Sequence, residues 1–259
     1  MKTVLTIAGS DCSGGAGIQA DIKTITAHKL YASSAITALT AQNTTGVYGI
    51  MEVSPDFLAK QLDCIFTDIF PDAVKIGMVA STDLIDVIAD KLQQYRAKNV
   101  VLDPVMVSTS GSSLMRTDAT DALIARLVPL ADVITPNLSE AACLSGMKIE
   151  TTDQMVSAAK TIADMHARGI LIKGGHLDNS ADDLYFENGE SHWLRGDRID
   201  TQNTHGTGCT LSSAIACNLA IGLNKLQSLQ NAKTYITGAL QNGMSLGNGN
   251  GPLNHVFAL

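Results

Sequence analysis

Short β-type runs at residues 4–8, 35–39, 73–76, 100–102, 133–135 and 169–173 alternate with helix-period stretches at 18–28, 55–66, 82–96, 118–127 and 153–165. Parallel strands need a crossover of a dozen or more residues, and a helix is the usual one. The alternation therefore predicts an α/β fold with a mostly parallel central sheet and helices on both faces. Two further runs, 183–186 and 191–194, flank Asn188-Gly189, a hairpin turn signal. They predict a small antiparallel extension at one sheet edge. Helices are expected near 207–221 and 226–246. No Pro/Ser-rich linker, charge block or repeat interrupts the pattern, so the 259 residues read as one domain.

Composition narrows the function classes. A net charge of −7 is wrong for a nucleic-acid partner, which asks for a basic face. No apolar run approaches membrane-spanning length. The run 4–8 is too short for a signal-peptide core and is broken by Gly9-Ser10-Asp11, so a cytoplasmic location is expected. The five cysteines (12, 64, 143, 209 and 217) form no CxxC pair, which fits a reducing compartment and gives no metal-finger spacing.

In open α/β sheets, ligands bind beyond the carboxyl ends of the strands. Gly9 to Gly17, Gln42-Asn43, Gly77-Met78, Asp103-Pro104, Thr135-Pro136-Asn137 and Gly174-Gly175-His176 each follow one of the expected strands. The most informative segment is Asn203-Thr204-His205-Gly206-Thr207-Gly208-Cys209-Thr210, a glycine-rich turn opening an apolar helix. Free backbone N–H groups and the helix dipole make such a turn a phosphate site. The same end lowers the pKa of a thiol at its edge, so Cys209 is expected below the ordinary thiol range. A phosphate site beside a general base suggests a kinase; the plain alternative is a capping turn with Cys209 as filler. Gly15-Ala16-Gly17-Ile18-Gln19-Ala20 also fits a dinucleotide fingerprint. That fingerprint needs an acid about 20 residues on, and residues 30–51 contain no Asp or Glu, which argues against a dehydrogenase.

The 203–210 segment resembles the phosphate-binding signature of the ribokinase-like superfamily, and within it the hydroxymethylpyrimidine/phosphomethylpyrimidine kinases. Most sugar kinases of the superfamily carry Asp where this chain has Cys209. Matching segments run in family order from residue 4 to residue 255. The resemblance implies a ribokinase-like three-layer sandwich, with ATP and Mg²⁺ as cofactors, acting on a small pyrimidine alcohol and its monophosphate. It implies that Cys209 accepts the hydroxyl proton, while N–H groups of Gly206, Thr207, Gly208 and Cys209 stabilise the transferring phosphoryl. The loop after Gly9 would lie near the acceptor, with Met78 as an apolar wall and Val105 beside it. Gln42 would read the ring nitrogen and amino group, since an amide offers donor and acceptor together. Asp21 matches the family's acid, or is a charge on the first turn of a helix. Lys173, Asn137, Thr204 and Gly208 would hold the nucleotide. Asp103 and Glu140 would organise Mg²⁺, although Asp103-Pro104 is also a turn and Asn137-x-x-Glu140 also spells a helix cap. A homodimer is implied as well.

Two departures stand out. Relatives often carry a lysine at Thr109, and the pyridoxal-phosphorylating branch has a second cysteine where this chain has Ser108. Asn250 stands where many relatives have His. A pyridoxal kinase is the alternative reading, and a vitamin-precursor sensor without catalysis a third.

Overall fold

The computed structural model describes residues 1–106, 119–175 and 181–258. Its strands are β1 (Thr3–Asp11), β2 (Tyr31–Asn43), β3 (Gly46–Glu52), β4 (Ala73–Ile76), β5 (Val100–Leu102), β6 (Val133–Ile134), β7 (Gly169–Ile172), β8 (Asp183–Glu187) and β9 (Glu190–Leu194). They form one nine-stranded sheet of order β3-β2-β1-β4-β5-β6-β7-β8-β9. From β2 to β7 the neighbours are parallel, and β3, β8 and β9 are antiparallel additions. The helices are α1 (Gly17–Ala27), α2 (Pro55–Asp68), α3 (Thr82–Tyr95), α4 (Ala119–Ala122), α5 (Leu138–Ser145), α6 (Thr152–Ala163), α7 (Thr207–Ala220) and α8 (Lys225–Gln241).

Strand side chains alternate between faces, and this places the two helical layers. Leu5, Ile7, Val74, Ile76, Val100, Leu102, Ile134, Ile170 and Ile172 pack with α2, α3, α5 and α6. Val4, Ala73, Val101, Val133 and Leu171 pack on the other face with α1, α7 and α8. Sheets buried on both sides read as continuous apolar runs, which is why these strands were visible in the sequence. Lys75, in β4, points to the second face, toward α1 and α7. Caps fix the helix starts: Ser54 accepts from Phe57 N ahead of α2, and Thr151 with Gln154 forms a capping box on α6. Among the described residues no helix is long and apolar enough to cross a membrane.

Four expectations need correction. Antiparallel strands occur at both sheet edges, because β3 joins β2; its exposed, glycine-containing sequence carries no burial pattern. α5, only eight residues long, was not among the expected helices, although the cap that Asn137-x-x-Glu140 spells is its start. The helix expected at 118–127 is α4 followed by a π-turn over Leu123–Leu127 and a 3₁₀ turn over Val128–Leu130; residue 118 lies outside the described residues. α8 stops at Gln241, short of residue 246, ahead of Asn242-Gly243.

Candidate active site

Six loops open at the carboxyl edge of the parallel strands, and α7 aims its N-terminus at the same edge. Asp103, at the end of β5, is buried and accepts at Oδ1 from Thr135 Oγ1 and from Lys173 Nζ, each at 3.0 Å. Glu140 Oε2 lies 4.0 Å from the same ammonium. A methyl group built on Gly208 would stand 3.1 Å from Asp103 Oδ2 and 3.4 Å from Lys173 Nζ. The structure thus brings Asp103, Glu140, Lys173 and Gly208 together, and a side chain at Gly208 would crowd the charged atoms of Asp103 and Lys173. Lys173 keeps 18% of its side chain exposed, enough to meet a ligand. Burial works against its charge, but Asp103 and Glu140 raise its pKa.

Asn137 and Glu140 form a reciprocal capping box on α5: Asn137 Oδ1 accepts from Glu140 N, and Glu140 Oε2 accepts from Asn137 N. The cap foreseen from spacing is real, but the acid is buried rather than exposed. Burial pushes the Glu140 carboxyl up to about 6, against the pull of Lys173. Thr204 is half-buried in the turn before α7, where its carbonyl accepts from Thr207 Oγ1 at 2.7 Å and Thr207 N at 3.3 Å. Gly206 has φ +85°, and a side chain there would strike the Gly15 carbonyl. Glycine is required at that close crossing of two loops.

Cys209 lies in the first turn of α7, where the Gly17 N–H, at the start of α1, acts to favour its thiolate. The expected depression of this thiol is not observed. Burial pushes it up to about 11, and although Lys75 acts to lower it, Asp21 and Asp103 oppose that. Asp21 likewise departs from its expected place against the substrate. It has no exposed surface, and its oxygens accept from Lys75 Nζ, Thr6 Oγ1 and Ser213 Oγ. A carboxylate so occupied belongs to the floor beneath Cys209.

At the far end, Gly9 and Met78 are in contact: a methyl on Gly9 would sit 3.1 Å from Met78 Sδ. Met78 is buried with Ala38 and Ala80. Val105 is half-buried just beyond β5, its N–H donating to Asp103 O. Gln42 is the last residue but one of β2, where its backbone N–H donates to Cys12 Sγ and its carbonyl accepts from that thiol. Two residues that sequence reasoning left without a role meet it there. His205 Nε2 lies 3.4 Å from the Gln42 amide and 2.9 Å from Asp11 Oδ2. The run Asp11-Cys12-Ser13-Gly14-Gly15 was the available signal, an acid ahead of a glycine turn whose side chain can collect the next N–H groups. The segment 249–252 closes this end, with Asn250 N donating to Thr44 O and Pro252 bridging to His205. Ser108, Thr109 and His176 lie outside the described residues.

A parallel sheet between helical layers, with a glycine-bounded helix N-terminus set against a lysine and two carboxylates, defines a kinase of the ribokinase-like class. The family model described as phosphomethylpyrimidine kinase matches residues 11–254, and the chain belongs to that family. A hydroxymethylpyrimidine/phosphomethylpyrimidine kinase from Rhizobium meliloti is 47% identical, with 97% of this chain and 96% of that protein covered. The chain spans about half the length of the bifunctional thiamine-biosynthesis relatives it also matches. Among solved structures, a phosphomethylpyrimidine kinase from Clostridium difficile superposes with a TM-score of 0.83 at 43% identity, covering 92% of this chain and 98% of that one. A Bacillus subtilis pyridoxal kinase in complex with ADP gives 0.92 at 39% identity, covering 98% and 97%.

Proposed function

We propose that this protein transfers the terminal phosphoryl group of ATP to the hydroxymethyl group of 4-amino-5-hydroxymethyl-2-methylpyrimidine, and then to the resulting monophosphate, for thiamine synthesis. The observation that carries this reading is the placement of Gly208 against Asp103 and Lys173, with Cys209 next in the chain. Phosphoryl transfer asks mostly for positioning and charge stabilisation. The first-turn N–H groups of α7 have no acceptor within the helix and stabilise negative charge at the reacting phosphorus. Lys173 holds phosphate oxygens as a point charge, and Asn137 and Thr204 border the nucleotide.

Mg²⁺ fits the oxygen donors present, and Glu140 and Asp103 would hold it, directly or through water, where it neutralises phosphate charge. Gly9, Met78 and Val105 wall the ring and Gln42 reads its polar edge. Cys209 rests as a protonated thiol, and it is its minor thiolate form that accepts the substrate hydroxyl proton, with Lys75 and the Gly17 N–H favouring that form. The apolar side chains exposed at the β2–β3 edge, Leu39 and Met51 on one face and Tyr48 and Ile50 on the other, support a homodimer covering this edge. We place the enzyme in the cytoplasm.

A second reading, pyridoxal phosphorylation, is supported by the likeness to the Bacillus subtilis enzyme. ADP release measured side by side on the pyrimidine alcohol, its monophosphate and pyridoxal separates the two. Turnover on both pyrimidines with pyridoxal slow is expected, and preference for pyridoxal would overturn the main reading. Binding without turnover on all three would favour the sensor.

A further inference from the structure

Chemistry alone assigns the protons around Gln42. Asp11 Oδ2 can only accept, so its 2.9 Å contact requires His205 Nε2 to carry a proton. The Ser10 carbonyl can only accept, so its 3.0 Å contact with Thr40 Oγ1 uses that hydroxyl's one proton. The Gln42 amide lies between these two groups, with one end 3.4 Å from His205 Nε2 and the other 3.1 Å from Thr40 Oγ1. An amide N–H turned toward His205 would oppose the N–H already given to Asp11, and an amide oxygen turned toward Thr40 would oppose an oxygen whose proton is already given to Ser10. Amide O and N exchange places by a half-turn about the last side-chain bond. Oε1 toward His205 and Nε2 toward Thr40 removes both conflicts: Nε2 donates to Thr40 Oγ1, and Oε1 shares the His205 proton whose shorter bond goes to Asp11.

We propose that His205, anchored by Asp11, is a positioning residue that holds the Gln42 amide in this orientation and so selects an aminopyrimidine ring. This deepens, and rests on, the reading of Gln42 as the ring-contacting residue. His205 is 5% exposed, its backbone N–H donates to Gly251 O at 3.0 Å, and Gly15 has no room for a side chain against the imidazole. The ring is thus held in one place. Asp11 is an equally fixed acceptor: burial works to raise its carboxyl, but His205, Ser13 and the Ala16 N–H hold it at about 2. With His205 and Thr40 served, Gln42 keeps one N–H and one Oε1 lone pair. An acceptor ring nitrogen beside an exocyclic amino group complements both. Pyridoxal lacks that adjacent pair and gains less from the orientation.

The test combines a spectroscopic and a kinetic readout. Imidazole ¹⁵N NMR of the wild-type protein should show His205 protonated at Nε2; an unprotonated Nε2 would overturn the proposal. His205→Phe keeps the ring volume and removes the donor, whereas His205→Gln returns an N–H. His205→Phe should raise KM for the pyrimidine alcohol by roughly tenfold or more and leave KM for ATP within about twofold. Pyridoxal kinetics should move less, and His205→Gln should recover part of the loss. In a Gln42→Ala background, His205→Phe should add nothing further. Full additivity, or an equal rise in KM for ATP, would mean general loosening of the site and overturn the proposal. If Gln42→Ala raises KM for the pyrimidine but His205→Phe does not, the His205 proposal alone falls. If Gln42→Ala changes nothing, the reading of Gln42 falls and takes the proposal with it.

Discussion

Lys75 Nζ sits 2.9 and 2.8 Å from the two carboxylate oxygens of Asp21, and neither side chain has any exposed surface. The pair joins β4 to α1 directly beneath the α7 N-terminus. Burial disfavours the lysine charge, yet Asp21 raises the Lys75 pKa, so the lysine stays charged. Losing one partner leaves the other charged, buried and unpaired, at a cost of about 3–5 kcal/mol. Lys75→Met and Asp21→Asn should each lower the denaturant midpoint accordingly, and the double variant should recover part of the loss. Single variants as stable as the wild type would contradict this account of the pair.

Lys173 is argued to act on the nucleotide rather than on the ring. Lys173→Ala should reduce kcat/KM for ATP by roughly 10²-fold, the scale of losing one preorganised charge-stabilising donor. KM for the pyrimidine should stay within about threefold of the wild type by the same reasoning. Unchanged ATP kinetics would remove Lys173 from the phosphate site.

Gly206→Ala tests the crossing of the two glycine loops. A side chain at φ +85° costs about 1–2 kcal/mol, and the new methyl would displace Gly15. Displacement of the catalytic turn by an ångström is worth roughly 10²-fold in rate. A fall in kcat with the far-ultraviolet circular dichroism unchanged is expected. Wild-type kcat would contradict the need for this geometry.

The parallel sheet was legible because its strands are buried on both faces and its crossovers are helical. β3 was not, because its side chains face outward and carry no pattern. In the site, Lys173, Asp103 and Glu140, which the resemblance implied for nucleotide and Mg²⁺, lie together. Asp21 and Cys209 did not behave as read, and the reason is burial. A sequence shows that an acid or thiol stands near a helix start, but not how much protein covers it. Asp11 and His205 escaped notice because 194 residues separate them, and only the folded chain brings them together.

His255 gives a stability signature in acid. It is buried with Nε2 3.0 Å from Thr210 Oγ1, and burial pushes its pKa down to about 4 from 6.5. The unfolded chain therefore binds the extra proton between those values, and stability must fall as pH drops from 6.5 through 4. The span corresponds to about 3 kcal/mol at most. Melting temperatures across this window should fall more steeply for the wild type than for His255→Gln. Parallel curves would show that His255 does not carry this dependence.

The most direct measurement is the rate of ADP release with ATP, Mg²⁺ and the hydroxymethyl pyrimidine, for the wild type and Cys209→Ala, with pyrimidine binding followed calorimetrically in both. A positioned general base contributes roughly 10²–10⁴-fold. The account expects Cys209→Ala to lose turnover on that scale and to bind the pyrimidine almost as before. Full activity in Cys209→Ala would contradict it and return Cys209 to the role of a half-buried thiol without chemistry at the head of α7.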